Sequence, residues 1–138
     1  MKNKVFVFLP IVMFASACYV STNTTVLDPS LHLAQTCPRG VKLYTSPDRV
    51  LQPYREVALL HSAGEALYSD ERDMYDSMRK EAAGVGANGI IISGIDEPNA
   101  ITKVAGEIAQ KPAERKGRAV AIYVAADSAS SAVACTKK

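Results

Sequence analysis

Three cysteines and two histidines hold most of the covalent and acid–base chemistry available to this 138-residue chain. Cys18 directly follows Ala15-Ser16-Ala17, while Cys37 and Cys135 lie near the two ends of what remains. Small residues at Ala-x-Ala suit signal-peptidase cleavage, and a cysteine just after the cut is what the bacterial lipoprotein pathway requires. There the thiol takes a diacylglycerol before the leader is removed. Ala15 departs from that pathway's usual pattern, in which a larger aliphatic residue, commonly Leu, stands at this position. The competing expectation is a soluble secreted protein with a spare thiol at Cys18. Parity favours the lipid, since three cysteines in an oxidising compartment leave one over, and acylating Cys18 removes the remainder. Cys37 and Cys135 are then expected to pair, and closing a loop of about 100 residues is worth roughly 4 to 5 kcal/mol in the chain-entropy picture.

His61 stands beside Ser62 in an apolar stretch with acidic residues not far away, so a Ser, His and Asp arrangement for acyl transfer can be sketched around it. No G-x-S-x-G elbow accompanies it, and the expectation is a strand histidine with a structural role. A periplasmic hydrolase using His61 is the alternative to a non-enzyme. His32 has no partner in sequence. Two widely separated histidines and two distant cysteines match no zinc-ligand spacing, so neither metal nor cofactor is expected. Asp70, Glu71, Asp73 and Asp76 fall at the start of a helix, where carboxylates complement the helix dipole. The glycines of Gly84-Val85-Gly86-Ala87-Asn88-Gly89 come after a helix, whereas a phosphate cradle needs them before one. The basic stretch Lys111 to Arg118 is expected to be a solvated loop; the sharper reading is contact with anionic headgroups or an acidic partner through Lys111, Arg115, Lys116 and Arg118.

These side chains must be positioned by a single domain of modest size. Lys2 and Lys4 followed by the apolar run Val5 to Phe14 form a leader over residues 1–17, too short to span a bilayer, which takes about 20 apolar residues. Without Lys2 and Lys4, the 16 basic residues fall to 14, equal to the 14 acidic ones. A neutral mature chain gives no electrostatic case for nucleic acid. Residues 18–36, rich in Ser, Thr and Asn, predict a lipidated flexible tether that would hold the domain roughly 20 to 25 Å from the membrane.

The domain is expected over residues 37–127. Val41 to Thr45 alternates apolar and polar as a half-buried strand, and Tyr54 to Ser62 carries a second strand closed by Gly64. A helix runs from Ser69 or Asp70 to Val85, with Met74, Met78, Ala82 and Val85 on one face, an Asp76 to Lys80 pair, and Gly86 as its left-handed stop. Asn88 to Ser93, with three isoleucines, and Gly117 to Ala125 predict two further strands. Between them, Gly94 to Lys116 offers one weak helical face of Ile101, Val104 and Ile108, with a mobile loop equally compatible. Residues 128–138 form a low-complexity tail, expected to be ordered only where Cys135 is tied. The fold class is α+β: one helix on a small, mostly antiparallel sheet of about four strands, β-β-α-β-β.

"VKLYTSPDRVLQPYREVALLHSAG", followed by a helix ending "EAAGVGANGIII", resembles the RcsF type of outer-membrane lipoprotein and, more distantly, the small YbjQ-like domains. The resemblance spans roughly Val41 to Ser93 and the last strand. It implies a helix packed on a small sheet, with "GAN" marking the turn into a central strand. RcsF-type domains carry four cysteines in two disulfides, and the comparable stretches here hold Gly64-Glu65-Ala66, Ser93-Gly94 and Ala121. The resemblance therefore implies the fold and not redox-coupled stress sensing. Together these readings predict a lipoprotein of the cell envelope, anchored in the membrane through Cys18. Tyr19 in place of Asp favours the outer membrane in enteric-like bacteria. The expected role is a non-catalytic binding, structural or sensing module with a possible envelope protein partner.

Overall fold

The computed structural model describes residues 20–109 and 112–136, so the leader, Cys18 and Lys111 lie outside the described residues. In chain order the elements are β1 (Val20–Val26), β2 (Lys42–Tyr44), β3 (Arg55–Glu65), α1 (Glu71–Gly84), β4 (Gly89–Asp96), α2 (Ala100–Ile108), β5 (Glu114–Tyr123) and α3 (Ser128–Thr136). Short 3-10 turns at Pro38–Gly40, Pro47–Arg49 and Ala125–Asp127 join them. The fold is α+β, with five strands in the order β1-β3-β5-β4-β2. Three of the four pairings are antiparallel, and β2 runs parallel to β4.

Helix α1 begins where the sequence supplies acceptors for its first amides. Asp70 caps it by accepting from the Asp73 N–H at 2.9 Å, and the Asp73 carboxylate accepts from the Asp70 N–H at 3.0 Å. Met74, Met78 and Ala82, spaced four apart, are fully buried against the sheet, and Val85 packs at the edge of that cluster. Asp76 pairs with Arg79 at 3.3 Å and not with Lys80. The helix closes in a Schellman turn: Gly86 has φ +79°, its N–H donates to Ala83, and the Ala87 N–H donates to Ala82. A Cβ at Gly86 would also run into Leu33 Cβ and come within 2.9 Å of the Ala34 carbonyl.

The helix lies close to the sheet because small side chains from both sides line much of the interface. Ala58, Ala82, Ala87 and Ala121 are fully buried, and the Met78 methyl sits 2.7 Å from where Gly117 would carry a Cβ. On β3 the residues facing α1 are Ala58, Leu60, Ser62 and Gly64, all buried, while Leu59, His61 and Ala63 point to the opposite face. The upper part of that second face is covered by the end of β2 and the segment after it: Tyr44, Val50 and Tyr54 pack over Ile91, Ile122 and Val124. No described element covers its lower part.

Several expected boundaries shift. Gly64 does not close β3, which continues through Glu65 paired with Glu114. β5 begins at Glu114, so the part of the basic stretch from Glu114 to Arg118 is strand and not loop. The sheet has a fifth strand because residues 20–26, expected within the tether, pair along β3 from Val20↔Gly64 to Val26↔Ala58. The polarity of "VSTNTTV" suggested a leash, yet its β-branched residues alternate. Thr22 and Thr24 turn inward to Ser77 (2.7 Å) and Glu81 (3.4 Å) on α1, as a polar edge strand permits. Residues 27–36 then cross the end of α1, with Leu31 and Leu33 packed on the core and the Thr36 N–H bonded to Ala83. The tail expected to be largely unstructured forms α3, which packs on the turn at Pro38–Gly40.

Candidate functional site

Four groups of residues drew attention in the sequence, and the fold sends them to different places. Cys37 and Cys135 meet at the upper end of the molecule, where the first 3-10 turn abuts α3, and they are joined across 98 residues with Cα atoms 5.6 Å apart. The Cys37 N–H points at Cys135 Sγ from 3.2 Å. A hollow of about 490 Å³ beside the bond is lined by Leu33, Gln35, Gly86, Tyr123 and Ser131 among others.

His61 stands on the bare lower part of the second sheet face, directly between Asn23 of β1 and Arg118 of β5. It is exposed and bordered by an open hollow of about 320 Å³ shared with Asp96 and Lys116. Ser62, its neighbour in sequence, points through the sheet to the helix side, where its buried hydroxyl contacts Met74 Sδ at 3.5 Å. Adjacent strand residues face opposite sides, so this pair cannot share a proton. The near carboxylate, Asp96, is engaged by Arg118 at 3.5 Å. The acyl-transfer arrangement sketched around His61 is thus not assembled among the described residues. His32 is exposed on the crossing segment, away from His61.

Asp70 and Asp73 are consumed by the capping box and Asp76 by Arg79. No group of three or more His, Cys, Asp or Glu side chains able to hold a metal occurs among the described residues.

The basic stretch is largely paired off. Arg115 grips Glu97, with Nη2 donating to Oε2 at 3.0 Å and Nε to Oε1, and its Nη1 donates to the Ser69 carbonyl. That guanidinium keeps the Glu97 carboxyl below the usual carboxylate range. Lys116 pairs with Glu114 at 3.9 Å. These contacts staple the start of β5 to the exit of β4 and to the turn before α1.

Two features escaped the sequence reading. One is Asn88, the last residue of "GAN". It is buried, its amide donates to the Val124 carbonyl and its side-chain oxygen accepts the Val124 N–H, both at 2.8 Å. Its own backbone bonds Ile122 and Lys42, so one residue joins β2, β4 and β5. A lone Asn after a helix stop gives little sign of this. The other is the destination of α2's apolar face: a weak helical face of Ile101, Val104 and Ile108 was expected, but not that it would be left exposed.

Comparison with known proteins adds the fold. No family model matches the chain, and no curated protein matches it. The crystal structure of the Francisella virulence factor FvfA aligns over 74% of this chain and 96% of its own, with a TM-score of 0.51 and 16% identity. This chain is similar to that protein in fold.

Proposed function

We propose that the chain is a bacterial envelope lipoprotein, held in the outer membrane by a lipid on Cys18 with its domain facing the periplasm, and that it works as a non-catalytic binding, structural or sensing module. The observation that carries this reading is the bond between Cys37 and Cys135, which uses two of the three cysteines and leaves Cys18 as the odd one. A disulfide suits an exported protein, and an exported protein with a cysteine after Ala-x-Ala has a use for that thiol. The small residues before Cys18, the basic and apolar leader and Tyr19 after it support the same assignment.

The non-catalytic part of the proposal is supported by His61, whose strand neighbours are Asn23 and Arg118 and whose adjacent serine faces away. The surface best suited to a partner is the bare half of the sheet face around Asn23, His61, Lys116 and Arg118.

Fractionation tests the anchor. The wild-type chain, expressed in an enteric-like bacterium, is expected to float with outer-membrane vesicles, and the Cys18→Ser variant to be released with the soluble periplasmic fraction. A wild-type chain recovered in the soluble fraction alongside Cys18→Ser would exclude the lipoprotein reading.

A further inference from the structure

The two ends of the sheet differ in what they expose. At the lower end β1 begins, β3 and β4 finish and β5 begins, since Val20 pairs with Gly64, Gly64 with Arg115 and Asp96 with Lys116. Helix α2 is inserted in the chain between Asp96 and Glu114, so it too belongs to this end. Ile101, Val104 and Ile108 recur along it at spacings of three and four and share one face. These three and Leu67, in the turn after β3, are between 56% and 81% exposed. α2 packs substantially on no other described element. A soluble domain ordinarily buries such a helix face.

What covers this face follows from where the chain leaves the fold. Residue 20 is already in β1, and the covalent backbone allows no more than about 7 Å between the Cα atoms of Cys18 and Val20. A lipid on Cys18, the modification assigned under the proposed function and on which this inference rests, therefore enters the bilayer beside the lower end of the sheet. The basic side chains of β5 at that end are paired within the fold, Arg115 on Glu97, Arg118 on Asp96 and Lys116 on Glu114, so they are not free to select anionic headgroups. Its unmatched property is apolar.

We propose that α2 lies in the boundary between headgroups and acyl chains, with Ile101, Val104 and Ile108 immersed. The lipid holds the domain at the membrane, and the helix fixes which way up it stands. An apolar helix face sunk into this boundary is a general mode of interfacial attachment, and a second point of attachment is what converts a pivot into a fixed stance. The disulfide end then points into the periplasm, since the eleven residues of β3 separate the two ends by about 35 Å.

The chain contains no tryptophan, so one introduced indole is an unambiguous probe. Val104→Trp and, as a second position, Ile101→Trp are each purified as the full-length acylated protein and reconstituted into vesicles of phosphatidylethanolamine and phosphatidylglycerol. Parallel samples carry lipids brominated high on the acyl chain. Val133→Trp, in α3 at the other end, is the control. The expected result is a blue-shifted emission and bromolipid quenching for Val104→Trp and Ile101→Trp, and neither for Val133→Trp. Intact mass of the same samples reports the acyl chains. Acylated protein whose α2 indoles keep an aqueous emission and escape quenching overturns this inference while leaving the anchor intact. A cross-link from the same positions to an envelope protein would then identify a protein as the occupant. Protein found without acyl chains overturns the inference together with the reading beneath it.

Discussion

Among single residues, Asn88 decides the most. Its backbone and side chain together make four hydrogen bonds, to Lys42, to Ile122 and twice to Val124, at a buried point. The Val124 carbonyl has a second donor in the Asp127 N–H, but the Val124 N–H bonds only the Asn88 side chain among the described residues. Asn88→Ala is therefore expected to orphan one buried N–H and lower stability by about 2 to 3 kcal/mol, read as a drop in the urea midpoint. Sequence reasoning recognised the glycine two residues before it for the left-handed turn that a residue without a side chain takes easily, and Gly86 does have that φ. It could not see the partner of Asn88's side chain, because Val124 lies 36 residues away at the exit of β5. His61 shows the opposite case: its strand setting was legible, and strand alternation alone separates it from Ser62.

At the scale of elements, legibility followed local periodicity. α1 was legible because a capping box, a four-residue apolar repeat and a terminal glycine all act within one helix, and the structure returns it nearly residue for residue over Glu71–Gly84. β1 was not, because an edge strand can be polar on its outer face, and its inward threonines are satisfied by hydroxyl and carboxylate partners on α1 and not by apolar burial. The face of Ile101, Val104 and Ile108 was legible, but its destination was not, since no other described element packs substantially against it. The junction of β4, β5 and α1 depends on the Glu97 to Arg115 pair. Because the folded-state pKa of Glu97 is depressed, the stabilisation is present above its ordinary value of 4.5 and is lost as pH falls through the folded value. Glu97→Gln is expected to lower the melting temperature at neutral pH and to match the wild type once the pH is well below 4.5, a convergence that parallel thermal melts would measure. A difference that persists undiminished in acid would mean that the loss came from packing and not from the charge.

For the molecule as a whole, the fold and the covalent chemistry divide the labour between two ends. At one end the bond from Cys37 to Cys135 secures the first turn and the last helix, closing nearly the whole domain into a loop. At the other, the chain enters β1 two residues after Cys18, at the same end of the sheet as the exposed helix. Residues 20–26, expected within a tether, are a strand, and residues 27–36 are a strap across the end of α1. A lipidated Cys18 would consequently set the sheet end-on against the bilayer, with the bare face around His61 and Arg118 standing along the membrane normal and open to a partner. The most direct test is the intact mass of the chain extracted from envelopes. The expected mass corresponds to a polypeptide beginning at Cys18, heavier by a diacylglyceryl group and any amine-linked acyl chain, and lighter by the two hydrogens lost between Cys37 and Cys135. A polypeptide carrying an unmodified Cys18, whatever its disulfide state, would contradict the assignment.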